Sequence, residues 1–167
     1  MSHLQALIPA KALQERIKEL GSEIRKGHGT GPLTCICVLR GALFFAADLV
    51  RMIGGDVRVE FVHIKNQSDS LDIEISYLSG NIAGQDCILI EDIVETGLTL
   101  QSLCSYLQSL GPRSIRTVSL LDKPSTRQQA VAIDFIGFSI PDEFVVGYGL
   151  DVHGQHRALD HIATYIP

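Results

Sequence analysis

The chain has 167 residues, 46% of them hydrophobic, 20% charged and 6% aromatic, with a formal net charge of -5. That length suits one compact domain with a real core, and the composition excludes extended disorder, a collagen-like repeat and a coiled coil. The acidic balance argues against nucleic acid or membrane partners. No apolar run reaches the roughly 18 to 20 residues of a spanning helix, and Met1-Ser2-His3-Leu4 lacks the layout of a secretory leader, so a cytoplasmic location is expected.

Residues 10–26 carry Leu13, Ile17, Leu20 and Ile24 on one face, the period of an amphipathic helix. The Gly-rich stretch 27–32 ends it. That stretch follows a helix and precedes a strand, the reverse of a dinucleotide-binding glycine loop. Short apolar runs rich in branched residues then recur at 33–39, 57–64, 86–90 and 115–121, as expected of parallel strands covered on both faces. Helical patterns at 42–53 and 98–110 separate them, closed by Gly54-Gly55 and Gly111-Pro112. The alternation predicts an α/β fold with a mainly parallel twisted sheet flanked by helices.

Two segments leave this rhythm. Residues 65–84 are polar and read as a mobile loop or an irregular hairpin. Beyond about 138 the chain is punctuated by Pro and Gly, and it reads as a small cap. Cys35, Cys37, Cys87 and Cys104 lie in apolar segments without zinc-cluster spacing, so they are expected to be reduced, buried side chains. His153, His156 and His161 lack a carboxylate or cysteine at a matching offset and are expected to be exposed loop residues.

The stretch 87–100 carries the chemistry. A buried strand leads into Glu91-Asp92, then into the turn Glu95-Thr96-Gly97-Leu98-Thr99, then into a helix. The carboxyl ends of parallel strands are where ligands bind, and a helix N-terminus offers free N–H groups and a positive dipole end to a phosphate. Gly97 allows close backbone approach, and Thr96 and Thr99 add hydroxyl donors. Glu91 and Asp92 are acceptors, suited to sugar hydroxyls or a magnesium ion. No Walker-type GxxxxGK[ST] motif occurs.

Residues 90–99 resemble the phosphoribosyl-diphosphate signature of type I phosphoribosyltransferases. Three further segments are similar to the hypoxanthine-guanine branch: Val38-Leu39-Arg40-Gly41-Ala42 through Leu49, Leu120-Leu121-Asp122-Lys123-Pro124, and Gly137-Phe138 through Asp151. The resemblance covers nearly the whole chain in order. It implies a single domain over 1–167, with a core over about 30–137 and a hood from about 1–12 and 138–167. It also implies transfer of the 5-phosphoribosyl group from phosphoribosyl diphosphate to hypoxanthine or guanine, with Mg2+, by a homodimer or homotetramer.

By motif position, the resemblance assigns the ribose hydroxyls and metal to Glu91 and Asp92, with Asp151 helping a second magnesium. The 5-phosphate falls to Glu95, Thr96, Gly97, Leu98 and Thr99. Diphosphate falls to the turn Leu39-Arg40-Gly41, often built on a non-proline cis peptide, and to Arg157. Lys123 is expected to donate to the purine 6-oxo group, Phe144 to stack on the base, and Val145 to offer main-chain contacts, with Ile93 and Asp151 completing the purine site. A transition state resembling an oxocarbenium ion with departing diphosphate needs such cations and carboxylates.

Three departures from the family stand out. Arg40 replaces the usual Lys, and its guanidinium suits diphosphate through paired donors. Glu95 replaces the usual Asp that handles the proton at purine N7, reaching about one methylene further. Residues 65–79 lack the Ser-Tyr pair of the family's closing loop. Ser76-Tyr77 lies late, so the lid is either rebuilt or weak. A competing reading is a catalytically weak relative that senses phosphoribosyl diphosphate or a nucleotide.

Overall fold

A computed structural model describes residues 3–66 and 73–167. The first strand, β1 (His3–Ile8), leads into helix α1 (Ala10–His28), whose Leu13, Ile17, Leu20 and Ile24 are all buried. Core strand β2 (Leu33–Leu39) follows, then α2 (Leu43–Ile53) and β3 (Val57–Asn66). A Cβ on Gly21 of α1 would lie 2.5 Å from Met52 Cβ, so the missing side chain lets α1 and α2 cross closely. Next come β4 (Ile73–Leu78), β5 (Asp86–Val94), α3 (Leu98–Ser109) and β6 (Ser114–Asp122). A single 3-10 turn (Pro124–Thr126) precedes β7 (Phe135–Ser139), β8 (Val145–Val146) and β9 (Ile162–Ile166).

The large sheet has the order β4-β3-β2-β5-β6-β7, parallel except for β4, which returns antiparallel along β3. Because β2 is central, all its residues but Leu39 are buried, as its unbroken apolar run requires. One core layer joins α1 and α2 to β2 residues Leu33, Cys35 and Cys37. The opposite layer joins α3 residues Leu100, Leu103 and Leu107 to Ile36, Val38, Val62 and Leu89. A second sheet, β1-β9-β8, is antiparallel and carries the final segment of the chain back beside its start.

Several boundaries differ from the sequence expectation. β5 continues past Ile90 through the acidic pair to Val94, because β6 pairs with it as far as Val94 opposite Asp122. β7 joins the large sheet and runs two residues beyond the expected core limit at 137. The segment after residue 64 resolves in favour of a hairpin: β3 and β4 pair with a bulge at His63/Ile64. The central part of the expected lid, residues 67–72, lies outside the described residues. Cys35, Cys37 and Cys87 are buried free thiols, while Cys104 is half-buried. Of the three histidines expected to be exposed, only His153 is. His156 lies against Tyr165 with ring centroids 6.3 Å apart, and the half-buried His161 meets Asp160 at 2.8 Å.

Candidate active site

At the carboxyl ends of β2 and β5 the chain opens a cavity of about 300 Å³ lined by Leu39, Gly41, Glu91, Asp92, Ile93, Glu95, Thr96, Gly97 and Thr99 among others. The peptide between Leu39 and Arg40 is cis. A Cβ on Gly41 would fall 1.6 Å from Asp92 Oδ2, so only glycine fits between this turn and the carboxylate. Arg40 is exposed and outside the cavity wall, with its carbonyl accepting from the Leu43 N–H at 3.3 Å.

Glu91 is only 6% exposed. Burial, with the Asp92 charge beside it, pushes the Glu91 carboxyl well above the usual carboxylate range. Burial also pushes Asp92 up to about 6, against the opposing pull of its own backbone hydrogen bonds and the Arg157 charge. Neither carboxylate has an ion-pair partner among the described residues. No group of three or more metal-ligating side chains occurs among those residues. A pair of adjacent hard oxygen donors without a protein cation suits magnesium, which binds through one or two carboxylates and completes its shell with substrate oxygens and water.

The turn after β5 has the backbone form of an anion cradle. Gly97 sits at φ +87° and caps α3, with its carbonyl receiving the Gln101 N–H at 3.0 Å. A Cβ there would meet the Gln129 carbonyl at 2.5 Å. The Thr96 hydroxyl accepts from the Leu98 N–H at 3.4 Å. The first-turn N–H groups of α3 have no intrahelical acceptor, as at every helix start, and here they open beside the cavity. Leu98 contributes backbone to this turn, and its side chain is not part of the wall.

The β5–β6 register brings Lys123 to Glu95. The Lys123 N–H donates to the Val94 carbonyl at 2.9 Å, and the buried Nζ reaches Glu95 Oε1 at 2.5 Å and Asp142 Oδ1 at 3.7 Å. Two residues after Asp142 stands Phe144, 55% exposed, with its ring edge-on to Tyr165 at 5.9 Å. The Tyr165 N–H donates to the Phe144 carbonyl at 2.8 Å, making these two the bonded pair of the β8–β9 ladder. In an antiparallel ladder the next pair, Val145 opposite Thr164, is then non-bonded, so the Val145 N–H and carbonyl face away from β9.

Arg157 and Asp151 approach from the loop between β8 and β9. They pair at 2.6 Å, and Arg157 also donates to the Gly149 carbonyl at 2.5 Å. Asp151 accepts the Gly154 N–H at 2.6 Å. This loop is pinned to the rest of the site. A Cβ on Gly149 would lie 2.0 Å from the Gly41 carbonyl, and the buried Tyr148 hydroxyl donates to Asp48 of α2.

The sequence reading missed a layer behind the turn that follows β5. Arg127 pairs with Asp122 and donates to the Glu95 carbonyl at 2.7 Å, while the Gln128 and Gln129 N–H groups both donate to the Thr96 carbonyl at 2.9 and 3.0 Å. Asp122 was visible as an acid closing an apolar strand beside Lys123. Nothing local to Arg127 marks it, because its partners lie across a loop. Asp142 and Tyr148 were likewise read only as parts of a motif.

This sheet, its hood and the carboxylate-rimmed turn define the type I phosphoribosyltransferase class. The phosphoribosyl transferase domain family matches residues 4–153, and the chain belongs to that family. It is 38% identical to the hypoxanthine-guanine phosphoribosyltransferase of Bacillus subtilis (strain 168), covering 98% of this chain and 93% of the relative. It is 37% identical to the hypoxanthine phosphoribosyltransferase of Haemophilus influenzae, covering 98% and 96%. The crystal structure of a Bacillus anthracis hypoxanthine-guanine phosphoribosyltransferase, with a HEPES molecule in its active site, superposes with a TM-score of 0.95 at 34% identity over all of both chains.

Proposed function

We propose that this chain is a purine-salvage enzyme that joins hypoxanthine or guanine to the ribose of phosphoribosyl diphosphate, releasing diphosphate. The observation that carries the reading is the contact of buried Lys123 with Glu95 at 2.5 Å, at the edge of a phosphate cradle. A 6-oxopurine protonated at N7 presents an acceptor, O6, next to a donor, N7–H. Lys123 donates to the first and Glu95 accepts from the second, so the pair is complementary to that edge. Adenine would offer its amino group to a lysine and leave donors facing each other, a costly mismatch.

In this reading the 5-phosphate sits on the backbone of residues 95–99 and the ribose hydroxyls on Glu91 and Asp92. The diphosphate meets Leu39-Arg40-Gly41 and Arg157. Phe144 supplies the apolar face for the base, the Val145 main chain reads its far edge, and Ile93 and Asp151 close the site. As N9 bonds to the sugar, Glu95 takes the N7 proton, which keeps charge from accumulating on the ring. Magnesium held by Glu91 and Asp92, with Asp151 serving a second ion, would neutralise charge on the leaving diphosphate.

The domain reading, a core over about 30–137 with a hood from about 1–12 and 138–167, is part of the same proposal, with β7 included in the core. So is a homodimer or homotetramer. Exposed Leu43 on α2 and exposed Val59 on β3 line one apolar hollow with Val50 and Phe61, a surface of the kind that associates. No helix among the described residues is long and apolar enough to cross a membrane, which is compatible with the proposed cytoplasmic location. No observation above favours the ligand-sensing alternative.

The test is incubation with Mg2+, phosphoribosyl diphosphate and each of hypoxanthine, guanine, xanthine and adenine. Nucleoside monophosphate is expected from hypoxanthine or guanine and not from adenine. Absence of product with every 6-oxopurine, or equal turnover of adenine, overturns the reading.

A further inference from the structure

The pair formed by Arg127 and Asp122 is nearly enclosed, with side chains 19% and 8% exposed. An enclosed ion pair is a poor source of stability, because its desolvation cost offsets most of the attraction. The remaining donors of the guanidinium indicate what it does. They reach the main-chain carbonyl of Glu95 at 2.7 Å, and the arginine stem lies 3.2 Å from where a Gly97 Cβ would stand.

An anion cradle needs its N–H groups turned inward, which forces its carbonyls outward, where each requires a donor. The Thr96 carbonyl takes two N–H groups from residues 128 and 129, and the Gly97 carbonyl takes the first bond of α3. Only the Glu95 carbonyl depends on a side chain, and that side chain is Arg127. Glu95 is also the residue whose carboxylate meets Lys123. One guanidinium therefore fixes the peptide plane between the proposed proton acceptor and the first phosphate donor.

Building on the functional reading above, we infer that Arg127, oriented by Asp122, is a positioning residue that sets the 5-phosphate cradle and aims Glu95. It touches neither substrate. Losing a charge-assisted hydrogen bond to this carbonyl frees the peptide to rotate, and the expected penalty is about 10- to 100-fold in affinity for a ligand carrying the 5-phosphate.

The experiment compares binding of inosine 5'-monophosphate with binding of inosine by calorimetry, in wild type, Arg127→Met and Arg127→Lys. Wild type is expected to prefer the monophosphate. Arg127→Met is expected to lose that preference selectively, with inosine affinity unchanged within about twofold. Arg127→Lys, which keeps charge but cannot hold carbonyl and carboxylate together, is expected to fall between the two. Should the Met variant fail to fold, the Lys variant decides alone. An unchanged monophosphate preference in a folded variant overturns the inference, as does an equal loss of both ligands. A wild type that does not prefer the monophosphate overturns instead the functional reading beneath it. Turnover separates positioning from packing: kcat should fall with monophosphate affinity in Arg127→Lys as well as in Arg127→Met, whereas the melting temperature should fall mainly in Arg127→Met, which strands the enclosed Asp122.

Discussion

The two ends of the site are built on opposite plans. Around the proposed 5-phosphate turn every outward carbonyl from Glu95 to Gly97 is tied down, and no side chain fits on Gly97. Around the proposed base site the ring of Phe144 stands 55% exposed, braced edge-on by Tyr165. A charged group is stabilised only by dipoles already in place, since reorganising them costs the energy they would supply. A flat base gains its energy from the area it covers, so an exposed ring suffices until the ligand arrives. Changes on the phosphate side should therefore disturb folding and function together, and changes on the base side should disturb one substrate only.

The largest effect is expected where the two plans meet. Glu95→Gln removes the proposed proton acceptor and should lower kcat by about 10²- to 10⁴-fold while leaving nucleotide affinity nearly intact, measured by steady-state kinetics and calorimetry. Glu95→Asp should restore most of the rate. Gly97→Ala tests the rigid end. With the backbone at φ +87° and the Gln129 carbonyl 2.5 Å from the new Cβ, it should cost about 1–3 kcal/mol of stability. It should also raise KM for phosphoribosyl diphosphate at least about tenfold. Phe144→Ala should raise the purine KM about five- to tenfold and move stability by less than about 0.5 kcal/mol. A drop in melting temperature matching that of Gly97→Ala would erase the contrast.

The smallest effect concerns the core beneath the carboxylates. Burial, reinforced by the Glu91 and Asp92 charges, pushes the Cys37 thiol up to about 12. The folded chain thus holds this proton where the unfolded chain, with a thiol near 8.5, releases it. Stability from this group is complete below about pH 8.5 and is lost as pH rises toward the folded value. At pH 9.5 Cys37 should account for about 1 kcal/mol, read as a shallower fall of melting temperature with pH in Cys37→Ala than in wild type.

The sequence made the sheet legible where strands are fully covered. The runs at 33–39, 86–90 and 115–121 are apolar because helices lie on both faces, and each is a strand. Legibility failed at the edges. Residues His3 to Ala6 of β1 are exposed, and β7 is half-buried up to its exposed last residue, Ser139, so neither has a strong apolar signature, and pairing partners more than 15 residues away define both. The acidic pair could be read as a strand end, yet β5 continues beneath it to Val94, held by β6. Within the site, the turn and the carboxylates were legible because their chemistry is contiguous. Arg127 was not, because its role exists only once the 124–131 segment folds against the turn. The meeting of Lys123 and Glu95 likewise depends on strand register rather than on spacing.

The close seat of Gly149 on the Gly41 carbonyl reaches beyond single substitutions. These positions are 108 residues apart in the chain, yet a side chain at 149 would strike the main chain at 41. Chimeras spliced from two homologues anywhere between them will work only when both parents contribute compatible loops. Recombination libraries should therefore treat the two turns as one inherited block, and surviving crossovers should cluster outside the interval they span.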